Sequence, residues 1–186
     1  MRIIITGGGT GGHIYPALSI AYGLLDHEKE SQVLYVGSER GLEKEFAIRD
    51  GFAFQGVAVA GLPRPLSFKT LAVLGKNMKG LHESRKIIKK FQPDLVVGTG
   101  GYACGPIMLA AALSGIPTLL HEQNAVMGLT NRILSHFVKV VCLTFPLQGV
   151  NTENKEKYVL TGLPVRREIL RSSREKGIAV LGLNPA

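Results

Sequence analysis

The chain of 186 residues contains no tryptophan and only two cysteines, Cys104 and Cys142. Both lie among apolar residues, so we expect buried, reduced thiols rather than the disulfide framework of a small secreted domain, although sequence alone leaves their proximity open. No group of His, Cys and Asp residues has the spacing of metal ligands, which argues against a metal site. The chain does not open with a basic segment, an apolar stretch and a cleavage site, so we predict no signal peptide.

Charged residues are missing from Leu95 to Leu120, a stretch long enough to suggest a membrane span. Seven glycine and proline residues divide this stretch, however, and irregular backbone is costly in lipid. We therefore predict a strand, a glycine loop, a short buried helix and a second strand here, and no transmembrane helix.

The net charge of +8 is unevenly distributed along the chain. Residues 64–90 contain eight basic residues and one acidic residue, so the rest of the chain is nearly neutral. Overall, 45% hydrophobic and 19% charged residues are typical of an ordinary globular protein.

Short apolar runs alternate with helical patterns. Strands are predicted at Arg2–Ile5, Val33–Val36, Phe54–Val59, Leu95–Val97, Thr118–His121, Val138–Leu143 and Tyr158–Thr161. Helices are predicted at about Ile14–Leu25, Gly41–Asp50, Ser67–Lys90 and Leu129–Phe137, with a further helix opening at Pro106. Strands this apolar are typical of a parallel sheet covered by helices on both faces. The predicted fold class is α/β, a Rossmann-like doubly wound parallel sheet.

A glycine-rich turn from Gly7 to Gly12 directly follows the first strand. It contains the G-x-G-x-x-G spacing, in which glycines allow close backbone approach and the helix N-terminus offers free N–H groups to an anion. A dinucleotide site would need an acidic residue at the end of the second strand, which instead ends with Ser38, and no Walker loop is present. A tight turn that binds nothing is the alternative interpretation.

A second glycine loop, from Gly98 to Pro106, follows the fourth strand. Both loops are expected at the carboxyl edge of the sheet, where ligands bind at the topological switch point. Together they could hold two phosphates, or a pyrophosphate and its sugar; for the second loop alone, close helix–strand packing is the alternative. The fifth strand ends at this edge in four polar residues, 121–124, whose side chains alternate between faces, so not all can meet a ligand. They could instead form a buried cluster that fixes the loop.

His13 is predicted to lie in the first turn of the first helix. The helix dipole disfavours an imidazolium there and leaves a neutral ring able to accept a proton. One hypothesis is a general base that deprotonates an acceptor hydroxyl; the other is a histidine that merely caps the helix or positions the loop.

The predicted basic helix, Ser67–Lys90, carries an apolar stripe that we interpret as a core-facing seam. The stripe comprises Leu71, Leu74, Met78, Leu81, Ile88 and Phe91. Other apolar residues, Leu66, Phe68 and Val73, fall partly off it near lysines, as on a helix that meets an anionic membrane surface. No stacking platform or recognition motif for nucleic acid accompanies the charge, and a merely solvated basic face is the alternative.

The two glycine loops, the polar run His121-Glu122-Gln123-Asn124 and the segment Gly128-Leu129-Thr130-Asn131 resemble motifs of the MurG family of bacterial glycosyltransferases, which are GT-B enzymes. The resemblance spans essentially the whole chain. It implies an acceptor domain, the N-terminal half of a GT-B fold, in an N-acetylglucosaminyltransferase of peptidoglycan synthesis. Such an enzyme moves GlcNAc from UDP-GlcNAc to the MurNAc C4 hydroxyl of lipid I, giving lipid II at the cytoplasmic face of the bacterial inner membrane. The membrane contact would be the Leu66–Lys90 region.

The resemblance also implies residue roles. Catalytic roles fall to His13 and Glu122. The positions implied for the donor UDP-GlcNAc are Thr10, Gly11, Gly12, Asn124 and Arg166. Those implied for the acceptor diphosphate-sugar are Gly9, Gly100, Gly101, Tyr102 and Gly105. No tightly bound cofactor and no metal are implied.

One motif departs from the family pattern. The usual Gly-Asn-Pro-Val-Arg reads Gly162-Leu163-Pro164-Val165-Arg166, and leucine cannot form the hydrogen bonds of an amide, which puts local hinge or donor contacts in doubt. We expect residues 1–165 to form the acceptor and membrane-binding domain and 166–186 to lead toward a missing donor-binding domain, so that the isolated chain transfers little or no sugar. One alternative is a membrane-anchoring subunit of a split glycosyltransferase. The other is a nucleotide-binding oxidoreductase domain, which the lack of an acidic residue at the end of the second strand disfavours.

Overall fold

The computed structural model describes residues 1–61 and 69–184, and of Lys69 only its place in a helix. Strands and helices alternate along this part of the chain. The strands are β1 (Arg2–Thr6), β2 (Gln32–Ser38), β3 (Ala53–Val57), β4 (Leu95–Gly98), β5 (Thr118–Glu122), β6 (Val140–Leu143) and β7 (Tyr158–Leu160). The helices are α1 (Gly11–His27), α2 (Leu42–Arg49), α3 (Lys69–Phe91), α4 (Gly105–Leu113), α5 (Leu129–Leu134), α6 (Arg167–Leu170) and α7 (Arg174–Leu181).

The seven strands form one parallel sheet in the order β3-β2-β1-β4-β5-β6-β7. Ile5 of β1 lies beside Tyr35 of β2 on one side and beside Val97 of β4 on the other. The chain therefore builds the sheet outwards in both directions from β1, and the carboxyl ends of β1 and β4 lie side by side at the switch point. The predicted Rossmann-like doubly wound sheet is confirmed.

The side chains of β1 divide between the two faces of the sheet. Ile4 belongs to a core that includes Ile107 and Met108 of α4, whereas Ile3 and Ile5 belong to a second core with residues of α1. All three isoleucines are at most 1% exposed. Burial on both faces is the reason why the strands are apolar throughout rather than alternating.

Two elements end at least two residues earlier than expected. The strand β3 ends at Val57 rather than two residues later, and just beyond it the Ala58 N–H donates to the Glu83 carboxylate of α3 at 2.7 Å. The helix predicted at Leu129–Phe137 ends at Leu134, after which the chain forms short turns.

The core-facing interpretation of the α3 stripe is wrong for its first half. Ile88 is 8% exposed and packs in the core, but Leu71, Leu74 and Met78 are 70%, 48% and 64% exposed. The helix meets the body of the domain at Gly80, where a Cβ atom would lie 2.0 Å from the Ala58 carbonyl oxygen. Before that point the same stripe faces away from the core. Leu66, Ser67 and Phe68, also part of the prediction, lie outside the described residues.

Both cysteines are buried and unbridged, as expected. The uncharged stretch forms β4, a short 3₁₀ turn, α4 and β5, which confirms the predicted sequence of elements. Across the described ranges, no helix has the length and apolar character that crossing a membrane requires.

Candidate functional site

The two glycine loops are in direct contact at the carboxyl edge of β1 and β4. The N–H of Gly8 donates to the carbonyl of Gly100 at 3.2 Å. A Cβ atom at Gly101 would lie 2.0 Å from the Gly8 carbonyl oxygen, and the φ of Gly101 is +77°. The contact between the loops therefore requires glycine at position 101, whatever the loops bind.

A buried carboxylate inside the first turn was missed by sequence reasoning. Glu43, at the start of α2, is 0% exposed and accepts hydrogen bonds from the N–H groups of Ser38 at 2.8 Å and Gly9 at 3.3 Å. Cβ atoms at Gly8 and Gly41 would lie 2.5 and 2.3 Å from its carboxylate carbon, so these glycines make room for it. Its one sequence signal, an acid in the first turn of a helix, is too common to be informative.

Because Glu43 occupies the Gly9 N–H, the place left for an external anion is the N-terminus of α1. This helix begins at Gly11, three residues earlier than predicted, and Thr10 at its N-cap makes no side-chain capping bond. Within residues 1–61 and 69–184, no acceptor contacts the N–H groups of Gly11 and Gly12. Free N–H groups at the positive end of a helix dipole suit a phosphate.

Gly12 differs from the glycines that pack against protein. A Cβ atom at Gly12 would meet only the Thr10 hydroxyl, at the ordinary distance of 3.6 Å, and its φ is not positive. Glycine is disfavoured in a helix and gains nothing from packing here. The missing side chain leaves the start of α1 open to a group that approaches from outside.

His13 lies in the first turn of α1, as predicted. Its Nδ1 lies 2.9 Å from the carbonyl oxygen of Thr99 and 3.0 Å from Oε1 of Gln123. The ring carbons that flank Nε2 face Gly100 and Gly101, where Cβ atoms would lie 3.0 and 3.2 Å from them. Only glycine at both positions leaves room for the imidazole against the second loop.

The polar run that ends β5 divides between two surroundings, as its alternation predicted. Glu122 is 1% exposed, and each of its oxygens accepts two hydrogen bonds from amide N–H groups. The donors are the backbone of Asn124 and Gly128, at 3.0 and 3.4 Å, and the side chains of Asn124 and Asn131, at 3.0 and 2.8 Å. Glu122 therefore holds the loop between β5 and α5 in place.

His121 points away from the Glu122 cluster. Its Nε2 lies 2.9 Å from the Gly162 carbonyl oxygen, and its Nδ1 lies 3.1 Å from Nε2 of Gln123. Burial lowers the pKa of His121, so the ring is neutral at pH 7.

A cleft of about 520 Å³ opens between α3, α5 and the second glycine loop. Polar groups on its wall come from residues 13, 77, 102, 122, 124, 130 and 131. Apolar side chains on its wall are Leu74, Met78, Leu81, Leu109, Val126, Leu129, Ile133 and Leu134. Gly101 and Gly105 also line it, and the Tyr102 ring covers the junction of the two loops beside Gly9. The cleft suits a ligand with a polar head and an apolar tail.

Arg166 lies outside this cleft. Its guanidinium stacks on the ring of Tyr15 in α1, 4.5 Å from the ring centre, and lines a separate cavity of about 280 Å³. A Cβ atom at Gly11 would lie 3.3 Å from the same ring. The positions predicted for the donor therefore divide: Asn124 lines the cleft, whereas Gly11 and Arg166 flank Tyr15 on the other side.

Two other chemistries find no support here. Burial raises the pKa of Cys104 to about 12, so its thiol is not a nucleophile at neutral pH. No three His, Cys, Asp or Glu side chains in the described part of the chain are grouped so that they could hold a metal ion.

Comparison with known proteins identifies the family of this chain. The glycosyltransferase family 28 N-terminal domain matches residues 3–143, which include both glycine loops and the end of β5. The chain belongs to this family. This family 28 domain is 57% identical over 183 residues to the UDP-N-acetylglucosamine–N-acetylmuramyl-(pentapeptide) pyrophosphoryl-undecaprenol N-acetylglucosamine transferase of Desulfitobacterium hafniense. The match covers 98% of this chain and 50% of that protein.

A Thermoanaerobacter protein of the same name is 52% identical over 182 residues, covering 98% of this chain and 50% of the relative. Among solved structures, Acinetobacter baumannii MurG is similar with a TM-score of 0.71 and 34% identity, over 86% of this chain and 45% of that one. The resemblance to the MurG family is confirmed. A UDP-GlcNAc 2-epimerase from Neisseria meningitidis, with a TM-score of 0.55 and 15% identity over 78% of this chain and 41% of that one, shares the fold alone.

The family 28 domain spans about half the length of the curated relatives that it matches.

Proposed function

We propose that this family 28 domain is the acceptor-binding half of a glycosyltransferase that moves GlcNAc from UDP-GlcNAc to the MurNAc C4 hydroxyl of lipid I, producing lipid II. The observation that carries the proposal is the position of His13 on the wall of the amphiphilic cleft, next to N–H groups at the start of α1 that no acceptor among the described residues contacts. The names of the 57% and 52% identical relatives support the choice of sugar and lipid.

The proposed chemistry needs one proton acceptor. His13 Nε2 takes the proton of the acceptor hydroxyl, whose oxygen then bonds to the anomeric carbon of GlcNAc while the bond from that carbon to the UDP oxygen breaks. UDP leaves with the electron pair of the broken bond. We assign Glu122 an indirect role, because amide N–H groups occupy both of its oxygens: it orders the loop that carries Asn124.

The diphosphate groups of the two substrates need separate places. For the acceptor we propose the second loop, with Gly9, Gly100, Gly101, Tyr102 and Gly105 around its head group. For the donor UDP-GlcNAc we propose the α1 N-terminus, where Thr10, Gly11 and Gly12 present backbone to a phosphate. Arg166, stacked beside this turn, adds positive charge, and Asn124 faces the sugar from the cleft. No tightly bound cofactor is part of the proposal.

Membrane contact is the second part of the proposed function. Two exposed apolar residues of α3, Leu74 and Met78, line the cleft, and the exposed Lys76 and Lys79 lie within two residues of Met78 on the same helix. Apolar side chains ringed by lysines match an anionic lipid surface, which attracts each nearby lysine by about 1 kcal/mol. The polyprenyl tail of a lipid acceptor then runs from the cleft directly into the bilayer, at the cytoplasmic face of the inner membrane.

The division of labour with a second half of the protein is also a proposal. Residues 1–165 form the acceptor domain, and 166–186 lead toward a donor-binding domain that completes the uridine site. The departure at Leu163 lies three residues before this connection begins, and the residue is 50% exposed.

The test joins this chain to the C-terminal half of the 57% identical Desulfitobacterium relative and measures transfer of radiolabelled GlcNAc from UDP-GlcNAc to a lipid I analogue. We expect activity in the joined protein, little or none in the 186-residue chain, and a loss of about 10²- to 10⁴-fold in His13→Ala. Unimpaired transfer by His13→Ala would remove this residue from the chemistry. Transfer by the isolated chain would refute the assignment of half a site.

A flotation assay tests the membrane contact. We expect the chain to bind phosphatidylglycerol vesicles more tightly than phosphatidylcholine vesicles, and the double variant Leu74→Ser/Met78→Ser to lose at least about tenfold in binding. The control Val180→Ser removes an 85% exposed valine from α7 and should bind like the wild type. Equal losses in both variants would contradict a specific surface on α3.

A further inference from the structure

A chain of side-chain hydrogen bonds runs behind the cleft from His13 to the segment that carries Arg166. It passes through Gln123 and His121, and neither residue lines the cleft. We infer that Gln123 and His121 are positioning residues that hold His13 as its Nδ1–H tautomer and link this state to the carbonyl of Gly162. The inference rests on the proposed function in so far as it gives His13 the role of base.

The first link fixes the proton on His13. Nδ1 lies within 3.0 Å of two oxygens, the Thr99 carbonyl and Oε1 of Gln123. A carbonyl oxygen can only accept, so Nδ1 must carry the hydrogen. In the neutral ring, the lone pair is then on Nε2, which is the nitrogen beside the second glycine loop.

The second link fixes the orientation of the Gln123 amide. Its Nε2 lies 2.9 Å from the Thr99 carbonyl oxygen and 3.1 Å from the His121 carbonyl oxygen. If the amide were flipped, Oε1 would face these two oxygens and no hydrogen would lie between them. The two carbonyls therefore direct the NH₂ group inward and leave Oε1 to accept the hydrogen bond from His13.

The third link assigns the opposite tautomer to His121. Its Nδ1 lies 3.1 Å from the Gln123 NH₂ group and accepts from it, while its Nε2, 2.9 Å from the Gly162 carbonyl oxygen, must donate. Protonation of His121 would set two donors against each other. The ring is 2% exposed, a setting that favours its neutral form.

The far end of the relay is a fixed backbone point. The N–H groups of Thr161 and Gly162 both donate to the Leu143 carbonyl of β6, at 2.9 and 3.2 Å, and Gly162 has a φ of +78°. Four residues later the same segment places Arg166 on Tyr15. One short stretch of chain therefore carries both the far end of the relay and Arg166.

Nitrogen NMR of the ¹⁵N-histidine-labelled 186-residue chain tests the relay without any substrate. In the wild type, His13 should show a hydrogen on Nδ1 alone and His121 a hydrogen on Nε2 alone, whereas the exposed His27, His82 and His136 should show averaged tautomers. In Gln123→Leu, His13 keeps the Thr99 carbonyl as an acceptor and His121 keeps the Gly162 carbonyl, so both rings should move only part of the way toward averaged values.

The control Gln55→Leu makes the same substitution at an exposed position of β3 and should leave all five histidines unchanged. His13 spectra that are identical in wild type and Gln123→Leu, with the fold intact by circular dichroism, would overturn the inference. So would a wild-type His13 with its hydrogen on Nε2.

Kinetics of the joined protein then distinguish a role of Gln123 in positioning His13 from a role in the fold alone. Gln123→Leu should lower kcat by about 10- to 100-fold at nearly unchanged KM for the lipid acceptor. Equal kcat in Gln123→Leu and wild type would overturn the relay. If the wild-type joined protein transfers no GlcNAc while the tautomers are as expected, the proposed function fails and the relay stands.

Discussion

The substitution Gly12→Ala should stabilise the domain while impairing the donor site. At this position in the first turn of α1, an alanine Cβ would contact only the Thr10 hydroxyl, at 3.6 Å. The backbone there needs no positive φ, so alanine fits without strain. The added methyl group would nonetheless lie beside the unpaired N–H groups on which we place a donor phosphate.

The expected gain comes from the unfolded state. Replacing glycine by alanine at a compatible position reduces the conformational freedom of the unfolded chain and raises the free energy of unfolding by about 0.4–1 kcal/mol. For a domain of this size, such a gain raises Tm by about 1–4 °C.

Gly101→Ala is the matched substitution with the opposite expected sign. Its Cβ would lie 2.0 Å from the Gly8 carbonyl oxygen, on a backbone with a φ of +77°. Strain of this kind costs about 1–3 kcal/mol, even before the two loops move apart.

Urea unfolding of the 186-residue chain and calorimetric titration of UDP-GlcNAc into the joined protein measure the two effects separately. Gly12→Ala should unfold at a higher urea concentration than the wild type and bind UDP-GlcNAc at least about tenfold more weakly, because the phosphate can no longer approach the backbone. Unchanged donor binding in Gly12→Ala would refute the assignment of this turn to the donor. A lower free energy of unfolding would refute the reasoning on packing.

Three further predictions concern buried ionisable groups. Glu122→Gln replaces one accepting oxygen by a donor, which leaves N–H groups of the 124–131 loop unpaired, so it should cost about 2–4 kcal/mol in urea unfolding; an unchanged midpoint would contradict the role given to this carboxylate. Burial lowers the pKa of His121 below its usual 6.5, so this side chain binds a proton more readily in the unfolded chain than in the folded one. The stability that His121 contributes is therefore present above pH 6.5 and is lost as the pH falls below that value. Unfolding measured at pH 7.5 and pH 5.5 should show a smaller loss in His121→Gln than in the wild type, and equal losses would contradict this. The Cys104 thiol, with its pKa raised to about 12, should stay unmodified by iodoacetamide at pH 8 in the folded chain and react only after unfolding.

The fold could be predicted because its signals are local and repeated. Strands buried on both faces must be apolar throughout. In β1, for example, Ile4 packs in one core while Ile3 and Ile5 pack in the other. The alternation of such runs with helical patterns leaves few topologies other than a doubly wound sheet. Glycine loops after β1 and β4 then mark the carboxyl edge where these strands meet.

The parts that could not be predicted depend on contacts between distant residues. The apolar stripe of α3 has one period along its whole length, so nothing in its pattern distinguishes the buried Ile88 from the exposed Leu71. Their burial depends on the point at which the helix leaves the body of the domain. The relay from His13 to Gly162, together with the Thr99 carbonyl, joins four separate segments. Its polar residues were visible in the sequence, but their partners were not.

The glycines of the two loops, together with Gly41, are needed for three different reasons that the sequence motif alone does not distinguish. Gly8 and Gly41 make room for Glu43, and Gly100 and Gly101 make room for His13 and for the other loop, so these four would be needed by the fold without any ligand. Since Glu43 already occupies the Gly9 N–H, the first turn is not an empty phosphate cradle. What remains for an anion is the start of α1, with Gly12 open on one side and Arg166 beside Tyr15 on the other. The motif therefore indicates a ligand through Gly12 rather than through its first glycines, because a Cβ atom at Gly12 would meet only the Thr10 hydroxyl, at the ordinary distance of 3.6 Å.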